Sequence, residues 1–134
     1  MAIRRRKSCK QFAVIGLGRF GSSVARNLSK MECEVLAVDI KEESVQELAG
    51  VVTQAVQADA TDEAAMRALG IRNFDASIIA IGDLQASILA TIIAKELGVS
   101  NIIAKATSDL HGRVLDKVGA TRVVYPERDM GTRV

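Results

Sequence analysis

A glycine-rich turn at residues 16–21, with the sequence GLGRFG, constrains the fold of this chain more than any other feature. Residues 11–15 before it place four apolar side chains in succession, which is typical of a strand buried on both faces of a parallel sheet. Residues 22–31 after it place apolar side chains at helical spacing. A glycine turn between a strand and a helix is the context in which this motif binds a nucleotide.

Each glycine of the turn has a separate physical role in this interpretation. Gly16 permits the tight turn, Gly18 allows the backbone to approach a pyrophosphate, and Gly21 allows the helix to pack closely on the strand. The free amides and the positive end of the helix dipole together form an anion site, and Arg19 adds a positive charge beside it. The alternative is that the glycines are only structural.

An acidic residue, Asp39, ends the next apolar run at residues 35–38. It follows the first glycine by about twenty positions, where a carboxylate can accept hydrogen bonds from both ribose hydroxyls of a nucleotide. Because this carboxylate repels a 2′-phosphate, the sequence favours NAD(H) or an adenosine nucleotide over NADP(H). The structural alternative is that Asp39 only caps the following helix.

Strand and helix patterns alternate along the rest of the chain. Further strands are predicted at 53–58, 76–81, 101–105 and 122–125, and further helices at 61–69, 83–97 and 109–117. Asp83 stands where a helix N-cap is expected, and Gly98 where that helix should end. The pattern predicts an α/β, Rossmann-like, doubly wound parallel sheet of six strands in the order 3-2-1-4-5-6.

The composition fits one domain, because 134 residues that are 49% hydrophobic are enough for a single buried core. Aromatic residues make up 3% and tryptophan is absent, so the chain lacks a platform on which single-stranded nucleic acid could stack. The net charge of +2 comes largely from residues 1–10, which we expect to be a disordered basic tail before a domain at 11–134. We therefore expect no nucleic-acid partner.

The sequence contains neither a signal peptide nor an apolar stretch of transmembrane length, so we expect a cytoplasmic protein without direct membrane insertion. Cys9 and Cys33 lack the spacing of a metal site, and we expect both to be reduced and structural. The chain stops a few residues after the last predicted strand, which suggests a fragment of a longer protein.

Polar residues at the carboxyl ends of the strands form the candidate site, because an open parallel sheet binds its ligands there. Asp59 and Thr61 either cap the next helix or contact an adenosine. Lys105 would meet either a phosphate or a carboxylate of the protein. Glu127 is either solvated or the ligand of a cation that bridges to phosphates. The candidate binding residues are Gly16, Leu17, Gly18, Arg19, Phe20, Gly21, Asp39, Ile40, Lys41, Asp59, Ala60, Thr61, Ile81, Gly82, Lys105 and Glu127, and Glu127 is also the candidate metal ligand.

Groups that could catalyse a reaction are scarce. His111 is the only histidine, and we expect it on the surface of a helix. Tyr125 is the only tyrosine and has no lysine four residues later, as a tyrosine-lysine reductase would have. Little chain remains to hold a substrate or to supply an acid or base, so the sequence favours a sensor over an enzyme.

Five segments, at residues 12–21, 35–39, 59–61, 70–74 and 125–131, carry a family resemblance when taken together. They resemble the RCK, or KTN, domains of bacterial potassium-uptake regulatory subunits of the KtrA/TrkA type. The resemblance covers nearly the whole chain from residue 10 onward, and it implies the N-terminal, nucleotide-binding domain of such a subunit.

The resemblance implies a cytosolic regulator without catalytic activity, which binds ATP, ADP or NAD(H) and gates a membrane potassium-transporting partner. It also implies homodimers that assemble into a homo-octameric ring at the inner face of the cell membrane. Chains of this family continue through a crossover helix into a C-terminal lobe, which is absent from the present sequence.

By position, the resemblance places Gly16, Gly18, Arg19 and Gly21 at phosphates, Asp39 at the ribose, and residues 59–61 at the adenosine. In such regulators the arginine reaches a γ-phosphate, also across a dimer contact, and the glutamate at position 127 lies by a divalent cation, Mg²⁺ or Ca²⁺. Two alternatives remain open: the NAD(H)-binding lobe of a redox sensor or dehydrogenase, and an interaction module without nucleotide affinity.

Overall fold

The computed structural model describes residues 10–127, which form six strands and five α-helices. The strands are β1 (Gln11–Ile15), β2 (Glu34–Asp39), β3 (Gln54–Gln57), β4 (Ala76–Ile79), β5 (Ile102–Lys105) and β6 (Arg122–Val124). The helices are α1 (Arg19–Lys30), α2 (Glu42–Leu48), α3 (Glu63–Ala68), α4 (Leu84–Glu96) and α5 (Asp109–Val118), with a 3₁₀ turn at Ile71–Asn73. Of the predicted basic tail at residues 1–10, residues 1–9 lie outside the described residues, as do residues 128–134.

The strands form one parallel sheet in the order β3-β2-β1-β4-β5-β6, which confirms the predicted topology. The central strand is β1, whose Val14 is in register with Ala37 of β2 on one side and with Ile78 of β4 on the other. The chain therefore winds outward in both directions from β1. The carboxyl ends of β1, β2 and β4 meet at the point where the winding reverses, and this is where doubly wound sheets bind ligands.

Successive side chains of each strand point to opposite faces of the sheet, and both faces are apolar. On β1, Ile15 belongs to one buried cluster and Val14 to the other. Helices α3, α4 and α5 cover the Ile15 face, and α1 and α2 cover the Val14 face. The two faces are thus buried beneath different helices, and their cores contain few aromatic residues.

The glycine turn is tightly packed at its ends and open in the middle. Gly16 has φ +99°, and a Cβ there would lie 2.7 Å from the carbonyl oxygen of Ala80. A Cβ on Gly21 would overlap the carbonyl oxygen of Gly16. A Cβ on Gly18 would have no atom within 4 Å. The first and third glycines are therefore required by packing, whereas the second borders open space.

Element boundaries differ from the sequence prediction in several places. Helix α1 begins at Arg19, not at residue 22, because its first turn contains Gly21, whose low helix propensity hides the true start. Helix α3 begins at Glu63, two residues later than predicted. The sequence prediction anticipated a helix after Asp39 but gave no bounds for it, because the seven residues of α2 bury only Val45 and Leu48 and give too short a periodic pattern.

The signals for the start and end of α4 are confirmed. Asp83 is its N-cap and accepts a hydrogen bond from the backbone N–H of Ala86 at 2.9 Å. Gly98 follows the helix with φ +93°, the left-handed conformation in which helices commonly end.

Within residues 10–127, no helix is both long enough and apolar enough to cross a membrane. Cys33 is half-buried and forms no disulfide, and Cys9 lies outside the described residues.

The contact between Gly21 and Gly16 predicts a sharp difference between two alanine substitutions. Gly21→Ala should lower the free energy of unfolding by about 1–3 kcal/mol, because its Cβ must displace a backbone carbonyl. Gly18→Ala should change stability by less than about 0.5 kcal/mol, because its φ of −72° suits alanine and the surrounding space is open. Urea denaturation of both variants measures the difference, and equal midpoints would contradict the packing argument.

Candidate functional site

A cavity of about 440 Å³ opens at the carboxyl edge of the sheet, where β1 meets β2 and β4. Its volume lies within the range of pockets that hold cofactors and other small ligands. All the candidate binding residues except Gly21 and Glu127 line it. Gly21 is buried against the turn, as the packing role predicted for it requires, and its assignment as a binding residue stays a prediction.

The start of α1 lies at this cavity, and its first-turn amides have no side-chain acceptor. The N-cap is Gly18, which has no side chain to accept a hydrogen bond. By contrast, Asp62, Asp83 and Ser108 cap the starts of α3, α4 and α5. The first four N–H groups of a helix have no partner within the helix. An anion at α1 would therefore accept the hydrogen bonds that side chains accept at those other helices.

Backbone amides hold the carboxylate of Asp39 at the cavity. One oxygen, Oδ2, accepts a hydrogen bond from the N–H of Leu17 at 2.6 Å, and Oδ1 accepts one from the N–H of Lys41 at 2.8 Å. Asp39 is not the cap of α2, whose N-cap is Lys41, so the capping alternative is wrong. Each oxygen keeps a second lone pair, which fits the hydroxyl donors of a ribose.

The Asp59 carboxylate is held by its neighbour Thr61. Its Oδ1 accepts hydrogen bonds from the hydroxyl of Thr61 at 2.6 Å and from the N–H of Thr61 at 2.9 Å. These bonds, chiefly the hydroxyl one, hold the pKa of Asp59 below its usual value of 3.8, so the side chain is ionised at neutral pH. Because the N-cap of α3 is Asp62, the interpretation of Asp59 or Thr61 as that cap is wrong.

Three cationic side chains, those of Arg19, Lys41 and Lys105, border the same cavity. Arg19 is the exposed first residue of α1, and Lys105 is the half-buried last residue of β5. Neither forms an ion pair with a carboxylate of residues 10–127, so the salt-bridge alternative for Lys105 finds no partner there. The positive charge of both groups is available to an anionic ligand.

Glu127 is exposed and does not line the cavity. Within residues 10–127, no three or more histidine, cysteine or acidic side chains cluster in a way that could hold a metal ion. The divalent-cation site at Glu127 therefore stays a prediction.

The cavity also contains residues that sequence reasoning missed. Ser44, in the first turn of α2, contributes a half-buried hydroxyl-bearing side chain. It was missed because no bounds were assigned to α2, although a hydroxyl residue just beyond Asp39 would have been a usable signal. Small side chains at Ala58, Ala80 and Ala86 leave the space that the ligand would fill.

The position of His111 contradicts the prediction that it lies on the surface, because the residue is only 2% exposed. Its Nδ1 accepts a hydrogen bond from the backbone N–H of Thr107 at 3.1 Å, so this nitrogen carries no hydrogen. The ring hydrogen is then on Nε2, which lies 3.1 Å from the Oγ of Ser87. The imidazole thus links the segment after β5 to α4, close to the Lys105 side of the cavity.

The chain is similar in sequence to one domain family and to proteins of potassium uptake systems. The profile of the TrkA-N domain matches residues 12–126. Ktr system potassium uptake protein C of Bacillus subtilis is 54% identical over 126 residues, and Ktr system potassium uptake protein A of Vibrio alginolyticus is 52% identical over 126 residues. Each alignment covers 93% of this chain and 57% of the relative, so the chain spans little more than half the length of these relatives.

Solved structures share the fold. The NAD(P)-binding domain of an exopolyphosphatase-related protein from Archaeoglobus fulgidus is 25% identical with a TM-score of 0.83, covering 92% of this chain and 93% of that one. The GsuK channel bound to NAD has a TM-score of 0.77 and covers 87% of this chain and 21% of its own. GsuK bound to ADP has a TM-score of 0.80 and covers 92% of this chain and 33% of its own. At 18% identity, both GsuK structures show the shared fold.

The buried His111 should make stability depend on pH. Burial, assisted by the charge of Lys105, lowers the pKa of His111 from its usual value of 6.5, so the unfolded chain binds a proton at a higher pH than the folded protein. The stabilisation from the neutral ring is then complete above pH 6.5 and is lost as pH falls through the lowered pKa of the folded state.

Urea denaturation between about pH 5 and pH 7 tests this expectation, because most carboxylates titrate below that window. The loss of stability toward acid pH should be smaller in His111→Gln. Arg113→Gln, at an exposed position of the same helix, should keep the wild-type slope. A slope that is the same in all three proteins would assign the pH dependence to other groups.

Proposed function

Since the chain belongs to the TrkA-N domain family, we propose that it is the nucleotide-sensing regulatory domain of a potassium-uptake system. In this proposal it binds ATP, ADP or NAD(H), catalyses no reaction, and gates a membrane potassium-transporting partner. One observation carries the proposal: a single cavity contains both an uncapped helix N-terminus and a carboxylate, Asp39, that two backbone N–H groups hold in place.

The potassium role is supported by the relatives. Those at 52% and 54% identity are named as potassium uptake proteins of Ktr systems. We assign this chain the sensing step and assign the transport itself to a separate membrane partner. This division of roles would place the domain in the cytoplasm, at the inner face of the cell membrane.

The polarity of the cavity supports an adenine nucleotide as the ligand. The phosphates would lie on the amides of the glycine turn, between the charges of Arg19 and Lys105. The ribose hydroxyls would donate to Asp39, and the adenosine would extend toward residues 58–61. ATP, ADP and NAD(H) share this adenosine half, and the solved GsuK structures are described as bound to NAD and to ADP.

We assign the switch to Arg19. Its exposed guanidinium, at the first residue of α1, could reach a third phosphate that ADP lacks, in its own subunit or across a dimer contact. A ligand shifts a conformational equilibrium only by binding its two states unequally. We propose two geometries of a homo-octameric ring built from homodimers, of which the ATP-bound one is stabilised by this extra contact.

A second candidate is the NAD(H)-binding lobe of a redox sensor or dehydrogenase. It is favoured by the likeness to an NAD(P)-binding domain at 25% identity. This candidate predicts a strong preference for the dinucleotides over ATP and ADP.

Equilibrium binding of ATP, ADP, NAD, NADH and NADPH to the purified protein tests the proposal. We expect ATP and ADP to bind at least as tightly as NAD(H), and NADPH to bind at least about tenfold more weakly than NADH, because its 2′-phosphate meets Asp39. A much tighter affinity for NADH would favour the redox lobe, and no affinity for any of them would favour an interaction module. Repeating the ATP titration with Mg²⁺ and Ca²⁺, in the protein and in Glu127→Gln, tests the predicted cation site.

The role of Arg19 is tested by Arg19→Ala, with Arg26→Ala as the matched control. Both arginines are exposed on α1, but only Arg19 lines the cavity. Loss of a charge-assisted hydrogen bond should weaken ATP binding by about tenfold or more in Arg19→Ala and ADP binding much less. Arg26→Ala should keep the ATP-to-ADP affinity ratio. An unchanged ratio in Arg19→Ala, together with an unchanged assembly state in analytical ultracentrifugation with ATP, would rule out the switch.

A further inference from the structure

At the carboxyl end of β5, backbone pairing continues toward β6 after it has stopped toward β4. Lys105 is in register with Val124 of β6, and the N–H of Ala106 donates to the carbonyl of Val124 at 2.8 Å. On the other side, the pairing of β5 with β4 ends one residue earlier, with Ala104 opposite Ile79. The end of β5, which carries Lys105 to the cavity, is therefore held by a strand on one side only.

The imidazole of His111 supports this segment on the other side. Its Nδ1 accepts a hydrogen bond from the backbone N–H of Thr107 at 3.1 Å, and its Nε2 lies 3.1 Å from the Oγ of Ser87 on α4. The side chains of His111 and Ser87 are both buried. A hydrogen-bonded connection thus runs from the loop after β5, through the ring, to α4.

Each end of this connection lies close to a residue that lines the cavity. Thr107 follows Lys105 by two positions, and Lys105 lines the cavity. Ser87 directly follows Ala86, which lines the cavity from α4. Asp83, one turn before Ser87, lines it as well and caps the same helix. The ring therefore joins two walls of the cavity from behind.

The surroundings of His111 exclude direct contact with a ligand. The ring is buried, does not line the cavity, and has a protein partner for each of its nitrogens. Burial, assisted by the charge of Lys105, lowers the pKa of His111, so the ring is neutral at neutral pH and Nδ1 can accept a hydrogen bond. A neutral ring with both nitrogens engaged is suited to holding backbone segments in place.

We propose that His111 is a positioning residue for nucleotide binding, which joins the loop after β5 to α4 and so holds the ammonium group of Lys105 toward the phosphates of the ligand. This role rests on the proposed nucleotide-binding function, and it adds a residue that acts through Lys105 without touching the ligand. A lysine whose backbone is held in place loses less conformational freedom on binding, which raises the affinity for a phosphate-bearing ligand.

A double-mutant cycle on ADP affinity tests whether His111 acts through Lys105. ADP is the ligand because it lacks the third phosphate that is assigned to Arg19. Ser87→Ala removes the partner of Nε2 and should weaken ADP binding by about threefold or more, and His111→Gln should weaken it at least as much. In a Lys105→Gln background, the same two substitutions should weaken ADP binding by less than a further factor of about two.

Leu115→Ala is the matched control, because Leu115 is buried on the same helix as His111. It should lower the urea midpoint but leave the ADP affinity of the folded protein within about twofold. Equal losses in the two backgrounds, an unchanged affinity in Ser87→Ala, or the same loss in Leu115→Ala would overturn the proposal. If the unaltered protein bound no nucleotide at all, the proposed function would be refuted and this role with it.

Imidazole ¹⁵N NMR provides a second test that uses no nucleotide. His111 is the only histidine of the chain, so the protein without a histidine tag gives a single pair of ring-nitrogen signals. At neutral pH we expect the tautomer with hydrogen on Nε2, and Ser87→Ala should shift the Nε2 signal more than the Nδ1 signal. Hydrogen on Nδ1 would overturn the proposal, because that nitrogen could not then accept the hydrogen bond of Thr107.

Discussion

The close approach of α1 to the turn before it is the constraint on which the site depends. Gly21 lies against the carbonyl of Gly16, and no side chain larger than hydrogen fits between them. Gly16 in turn lies against the carbonyl of Ala80, which ties the turn to the end of β4. These two contacts fix the start of α1 at the centre of the sheet edge. The helix therefore presents its uncapped amides at the one place where the winding of the sheet reverses.

The charged side chains around the cavity are not held in place by ion pairs with one another. Asp39 is held by the N–H groups of Leu17 and Lys41, and within residues 10–127 it forms no ion pair with a cationic side chain. Arg19 and Lys105 are likewise not paired with carboxylates of residues 10–127. A ligand that carries both hydroxyl donors and phosphates can bind the Asp39 carboxylate and the two cationic side chains at once. Because the carboxylate is oriented in advance, less conformational freedom is lost on binding.

Sequence reasoning predicted the sheet order because the relevant signals are local. Continuous apolar runs mark buried parallel strands, and the glycine turn marks the first strand-to-helix junction. The carboxyl ends of the strands then followed from the topology, which is why Asp39, Asp59 and Lys105 were placed together from sequence and are found at one cavity.

What could not be predicted depends on contacts between distant segments. The burial of His111 requires Ser87 on α4 and Thr107 after β5, and no pattern within α5 shows that both supply hydrogen-bond partners. Asp59 or Thr61 was one alternative for the cap of α3 because aspartate and threonine are both capping types, and only the local backbone selects Asp62.

The backbone pairing of β5 with β6 offers a route by which a ligand in the cavity could move the chain beyond the sheet. Lys105 lines the cavity and is in register with Val124 of β6, and the N–H of Ala106 donates to the carbonyl of Val124 at 2.8 Å. The residue after Val124 begins the segment that leads to Pro126 and Glu127. A ligand that shifts the backbone of Lys105, and not only its side chain, would therefore move the end of β6 with it or break this ladder. Since a buried backbone hydrogen bond is costly to leave unmade, the displacement would pass to the chain after β6 in preference to breaking the pair.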